Sequence, residues 1–190
     1  MFTYYSKWME VNIEFIGAPG SGKTFIYKKI ILFFNKKKIK INKPKEIFFK
    51  NYLKANTNIY YIRKLAYFFY FNKVKLKSNY LFKKEYKNLI NFLNKEVKLD
   101  KNYKKIISIY KKYLKTANYT KERKLRMLTN FQLDYFGCKY NADAKKNILL
   151  EEGFFQKIYL NYYHEKNKIS KKLLIEYLNL VPKPKLIFYI

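Results

Sequence analysis

An α/β fold built on a short parallel sheet is the class this sequence predicts, and three observations carry it. A strand-like VNIEFI, Val11 to Ile16, runs straight into the glycine-rich GAPGSGKT, Gly17 to Thr24, and then into an apolar helix. Two more short apolar runs, NILLE from Asn147 to Glu151 and KLIFYI from Lys185 to Ile190, come near the end with helical segments between them. The long middle stretch repeats its apolar residues at helical three-and-four spacing. Short, fully apolar strands alternating with helices are what a parallel sheet covered on both faces requires, so three layers are expected.

Taken in order, the first strand ends at the glycines and the first helix follows from Phe25 to Phe34, apolar enough to be largely buried, with Lys36 to Lys38 suiting its negative end. Ile39 to Ile41 alternates apolar and basic residues, a weak second strand stopped by Asn42 and Pro44. Helices are then predicted through Ile59 to Phe71, through Phe82, Tyr86, Leu89, Ile90, Leu93 and Val97, and through Tyr103, Ile106, Ile107, Tyr110, Tyr113 and Leu114. A further stripe is Leu125, Leu128, Phe131 and Tyr135. After NILLE, helical segments carry Phe155, Ile158, Tyr159, Tyr162 and Tyr163, then Leu173, Leu174, Tyr177 and Leu178. A stiff approach through Pro182 and Pro184 leads to KLIFYI, read as a central strand. With no repeat and no Gly/Ser linker, residues 1–190 read as one domain, with a core of 9–42 and 146–190 and a helical insertion of about 46–145.

Three of the chain's five glycines fall within GAPGSGKT. Gly17, Gly22, Lys23 and Thr24 satisfy G-x-x-x-x-G-K-[ST], and the stretch lies between a strand and a helix, the context the pattern needs. Glycine lets the backbone turn sharply, so that amides from Gly20 through Ser21 to Thr24 approach phosphate oxygens at the positive end of the helix. Lys23 would neutralise the outer phosphates and Thr24 would ligate Mg2+. Ala18 completes the loop, and Pro19, lacking an N–H, stiffens it. The expected ligand is a nucleoside triphosphate, ATP, with Mg2+.

Such a loop needs an acidic partner at the end of a neighbouring apolar strand. In ILLEEG, Glu151 stands where a carboxylate would hold Mg2+, through water or directly, and Glu152 is placed to orient or deprotonate an acceptor. Two carboxylates ahead of a helix would equally be favoured by its dipole alone. Arg123 and Arg126, three apart on a helix, are candidates for an anionic acceptor or the transferred phosphoryl, or else solvated surface arginines. His164, the only histidine, has no Cys or His near it in sequence to make a metal site.

A formal net charge of +29 points to polyanions, yet arginine occurs only at Arg63, Arg123 and Arg126, and the abundant Lys, Asn, Ile, Tyr and Phe share A/T-rich codons. Base composition accounts for that charge without a partner, so nucleic acid is possible and not favoured. Tyr103, Tyr110 and Tyr113 would stack on bases or fill the core. The one cysteine, Cys138, excludes an intramolecular disulfide and fits a reducing, cytoplasmic setting. The longest apolar run, Leu65 to Phe71, is far too short to span a membrane, and MFTYYSKWMEV has no signal-peptide core.

The order strand, GAPGSGKT, helix, helical insertion, LLEEGFFQK, helices, PKPKLIFYI resembles the kinase branch of the P-loop NTPases, particularly thymidylate-kinase-like and related small-molecule kinases. The likeness covers the order of elements over most of the chain, and only the glycine loop is a specific motif. It implies a three-layer P-loop NTPase fold, transfer of the ATP γ-phosphoryl to a small-molecule acceptor, and an insertion that holds that acceptor. LLEEGFFQK is similar to a D-E-G-F-x-Q-R stretch of the branch with Lys157 at the arginine position. In that branch an arginine-bearing lid follows the last strand, so the chain reads as truncated at its C-terminus, slow at transfer and prone to associate. A GTPase is disfavoured because no Asn-Lys here has Asp two residues on, and no L-S-G-G-Q signature marks a transport ATPase. The rival class is a nucleotide-dependent ATPase or interaction protein that binds a polyanion such as nucleic acid through its helical lysines.

Overall fold

The computed structural model describes residues 11–56, 88, 91–117, 119–142, 147–158 and 170–190. The stretches predicted through Ile59 to Phe71, at Phe82, Tyr86, Leu89 and Ile90, and at Tyr159, Tyr162, Tyr163 and His164 lie outside them. Strand β1 is Val11–Ile16, helix α1 Lys23–Lys36, strand β2 Ile41–Asn42 and helix α2 Pro44–Asn56. Residues 91–99 are helical. Helix α3 is Lys101–Thr116, helix α4 Lys121–Ala142 and strand β3 Asn147–Leu150; a helical turn covers residues 154–158. Helix α5, Lys171–Leu180, and strand β4, Pro184–Tyr189, complete the order.

The four strands form one sheet in the order β2-β3-β1-β4, all parallel. The fold is therefore α/β, as the short apolar runs require. Ile13 stands beside Leu149 and Glu14 beside Leu150, while on the other side Glu14 pairs with Ile187 and Phe15 with Phe188. The usual right-handed crossover would send the connection from β1 to β2 over one face and those from β2 to β3 and from β3 to β4 over the other. The two faces are consequently unequal.

On the thick face, Ile148 and Leu150 of β3 enter a single core with Phe48 and Tyr52 of α2, Tyr103, Ile106, Tyr110 and Tyr113 of α3, Phe131 and Tyr135 of α4, and Tyr177 of α5. All six apolar residues read from the α3 periodicity are buried. The tyrosines weighed as base-stacking groups are core: Tyr103 packs on Tyr135 and Phe136, and Tyr110 stacks on Phe131 at 4.6 Å between centroids. Asp100 caps α3 by accepting the Tyr103 N–H at 2.8 Å, and it also pairs with Lys139 of α4. Gly137 lets α4 cross the start of α2, because a Cβ there would overlap the Pro44 backbone.

The thin face corrects two expectations. Helix α1 is not largely buried: Phe25, Leu32 and Phe33 are 65, 55 and 55% exposed, since among the described residues α1 packs chiefly against β1 and nothing covers its outer side. Among the described residues strand β4 is not central but lies at the sheet edge, with Leu186, Ile187 and Tyr189 exposed. Its Phe188 still stacks on the buried Phe15, 5.3 Å away, and Phe15 meets Tyr27 of α1 edge-on. The second strand is shifted to Ile41–Asn42, because the backbone of Ile39 is bound to the end of α1, its N–H donating to the Phe34 carbonyl. Pro44, read as a stop, also begins α2, where its missing N–H costs nothing.

Candidate functional site

Connections leave the adjacent strands β1 and β3 toward opposite faces, which opens a crevice at their carboxyl ends, the place where open parallel sheets receive ligands. The GAPGSGKT loop leaves β1 there, and Glu151 and Glu152 leave β3 beside it.

The loop turns because its glycines permit it. Gly20 and Gly22 have φ of +82° and +90°, a left-handed backbone that L side chains rarely adopt. Ser21 N–H donates to the Ala18 carbonyl at 3.2 Å, closing a turn inside the loop. Gly17 is glycine for a different reason. A Cβ there would overlap the carbonyl oxygen of Ile190, whose own N–H donates to Ile16 at 2.9 Å. Helix α1 then starts at Lys23 with Gly22 as its cap, no capping side chain and no acidic residue in the first turn. The Phe25 and Ile26 N–H groups donate to the Gly22 carbonyl at 3.0 and 3.1 Å, and no side chain caps the groups ahead of them at the positive end of this 14-residue helix.

Lys23 is buried, its ammonium folded back onto the loop: Nζ donates to Gly17 O at 2.9 Å and to Ala18 O at 2.6 Å, with Ser21 Oγ at 3.4 Å. Thr24 Oγ1 donates to Glu151 Oε1 at 2.5 Å, joining residues 127 apart in the chain. The sequence read these two as partners around one cation, and the fold brings them into contact. Glu152 is exposed, and its carbonyl accepts from Lys157 at 2.6 Å. Tyr27 of α1 feels the charge of Glu151. Burial together with Glu151, Glu46 and Asp134 pushes its hydroxyl up to about 12.

The Arg123 guanidinium lies 4.2 Å from the centre of the Tyr119 ring, and Arg126 is exposed. Lys157 is likewise occupied. It pairs with the buried Asp134 at 2.9 Å, fastening the 154–158 turn to α4.

Two residues beneath the loop carry functional geometry that sequence reasoning passed over. Gln156, fully buried, accepts the Gly17 N–H on Oε1 at 2.8 Å and donates from Nε2 to Gly17 O at 2.9 Å. Its own N–H donates to Oε1 of Glu14 at 2.7 Å. Glu14 is fully buried in mid-strand, and that burial pushes its carboxyl up to about 7 against the pull of the Gln156 amide and Lys157. A carboxylate in the middle of VNIEFI was the available signal for Glu14, since a buried strand rarely carries one without a purpose. Gln156 falls at the Gln of the D-E-G-F-x-Q-R likeness, a match that carried no role for it.

Among the described residues no cluster of three or more His, Cys, Asp or Glu is arranged to hold a metal ion, and no helix is long and apolar enough to cross a membrane. Compared with known families, curated proteins and solved structures, the chain has no significant match to a family model, a curated protein or a solved structure.

Proposed function

We propose that this chain is a P-loop kinase-like phosphotransferase that binds Mg-ATP in the Gly17–Thr24 loop and passes the γ-phosphoryl group to a small-molecule acceptor. The observation that carries it is the Thr24–Glu151 hydrogen bond, set beside the buried Lys23 at the carboxyl ends of two adjacent parallel strands. A hydroxyl and a carboxylate in contact are a donor set suited to a hard, oxygen-seeking cation, so Thr24 and Glu151 would hold Mg2+, which neutralises charge on phosphate oxygens. The uncapped α1 terminus and the two left-handed glycines favour an anion in front of them. Lys23 exchanges two carbonyl acceptors for phosphate oxygens, where its charge counts for more. Glu152, exposed at the crevice, takes the proton of the acceptor hydroxyl. Arg123 and Arg126, on the first turns of α4, are candidates to meet an anionic acceptor. The buried, unpaired Cys138 suits the cytoplasm.

Lys23→Ala removes Mg-ATP binding while the protein keeps its helical circular dichroism, and a mutant that binds as well as wild type sinks the reading. Glu152→Gln lowers kcat far more than it raises the KM for ATP, as a group acting in the transition state requires. Loss of ATP affinity alone would reassign Glu152 to the metal or to the fold.

A second reading has its own support. Lys101, Lys104, Lys105, Lys111, Lys112 and Lys115 are all exposed on α3, which carries no acidic residue. Binding to duplex or single-stranded nucleic acid that weakens steeply with salt would favour a polyanion-dependent ATPase; indifference to nucleic acid would leave the kinase.

A further inference from the structure

We propose that Gln156 is a positioning residue for the glycine loop, clamping Gly17 while Lys23 changes partners, and that Glu14 beneath it is the group whose ionisation loosens the clamp. Gly17 O accepts from two donors at once, Lys23 Nζ and Gln156 Nε2, each at 2.9 Å. When the ammonium leaves for an anion, a carbonyl held by lysine alone would be stranded in a buried place. Gln156 keeps it paired, and holds the Gly17 N–H with the other end of the same amide. The departure of Lys23 therefore leaves the start of the loop where it was.

The clamp stands on Glu14. Its Oε1 accepts the Gln156 N–H, and the side chain fills the space under Gly153, where a Cβ would overlap it. Oε2 is buried without a hydrogen-bond partner. The groups that feel the Glu14 charge are Lys157 of the 154–158 turn, Tyr177 of α5 and Cys138 of α4; only Lys157 opposes it in sign. Because burial outweighs Lys157 and the neighbouring amides, the clamped state holds its proton more tightly than an opened state that wets Glu14. Closure is thus favoured most below about pH 4.5, and that preference is lost as pH rises through about 7.

The link to phosphate rests on the nucleotide reading above, whereas the clamp itself does not, and the test separates them. Amide exchange at Gly17 in the nucleotide-free protein is followed by NMR in wild type, Gln156→Met, Gln156→Glu and Glu14→Gln, and Mg-ATP affinity is measured on the same samples by calorimetry. Gln156→Met is expected to lower Gly17 protection at least about tenfold and to weaken Mg-ATP by a similar factor. Should Gln156→Met not fold, Gln156→Glu, which retains the acceptor for Gly17 N–H and loses the donor, should still weaken Mg-ATP. Wild-type Gly17 protection should fall as pH rises from about 4.5 through about 7, and Glu14→Gln should abolish that fall, a response that a merely structural glutamine network would not give. Unchanged Gly17 protection in a folded Gln156 variant, or the same pH profile in Glu14→Gln, overturns the clamp. Lost protection with unaltered affinity overturns its tie to phosphate. A wild-type protein that does not bind Mg-ATP defeats the nucleotide reading, and the exchange data still decide the clamp.

Discussion

Gly17 shows how one residue type serves two masters in a single loop. Gly20 and Gly22 are required by their left-handed backbone, but Gly17 is required by a neighbour, the Ile190 carbonyl that closes on it from the end of β4. The two requirements fail differently. Gly17→Ala should cost about 2–3 kcal/mol in urea unfolding, because a methyl forced into a packed contact displaces backbone on one side or the other. The same change at Gly20, where a Cβ meets nothing within 4 Å, strains only the local turn and should cost about 1–2 kcal/mol. Equal stability of Gly17→Ala and wild type would mean that the end of β4 does not sit against the loop.

Among elements, α1 and α4 place their aromatic residues in opposite environments. Both carry aromatic residues at helical spacing, yet Phe33 is 55% exposed and Phe131 is fully buried against Tyr110, Phe154 and Tyr177. Phe131→Ala is expected to destabilise by about 3–5 kcal/mol and Phe33→Lys by less than about 0.5 kcal/mol, checked by thermal or urea unfolding. This contrast marks the limit of what the chain announces in advance. The bounds of β1, the buried stripe of α3 and the strand at Asn147 were legible because local spacing alone sets them. The exposure of α1 and the edge position of β4 were not, since both depend on which elements stack on which face, and an apolar run reads alike whether or not anything covers it. At the site, Gly17 to Thr24 and the Thr24–Glu151 pairing followed from a loop pattern and a strand end. The Gln156–Gly17 contact spans 139 residues, so the D-E-G-F-x-Q-R likeness could mark the glutamine without saying what it touches.

For the molecule as a whole, Glu14 ties stability to pH in a direction opposite to the usual carboxylate. Its carboxyl rises from an ordinary 4.5 to about 7 on folding, so the native state binds the extra proton in that window. Stability from this group is complete below about pH 4.5 and is lost as pH climbs through about 7, by about 3 kcal/mol at roughly 1.4 kcal/mol per tenfold change. Urea midpoints measured from pH 5 to pH 8 should therefore decline in wild type and decline less in Glu14→Gln; parallel curves would remove Glu14 as the cause. The sheet order has another bearing, on how the chain is made. Strand β1 has no partner until β3 exists, because Ile13 pairs with Leu149 and Glu14 with Leu150. On a ribosome adding about 5–20 residues per second, an emerged VNIEFI waits on the order of ten seconds for its neighbour. During that wait Glu14 is in water and ionised, and a charge in mid-strand discourages the nascent segment from pairing with other chains. The carboxylate that burdens the finished protein protects it while it is being born.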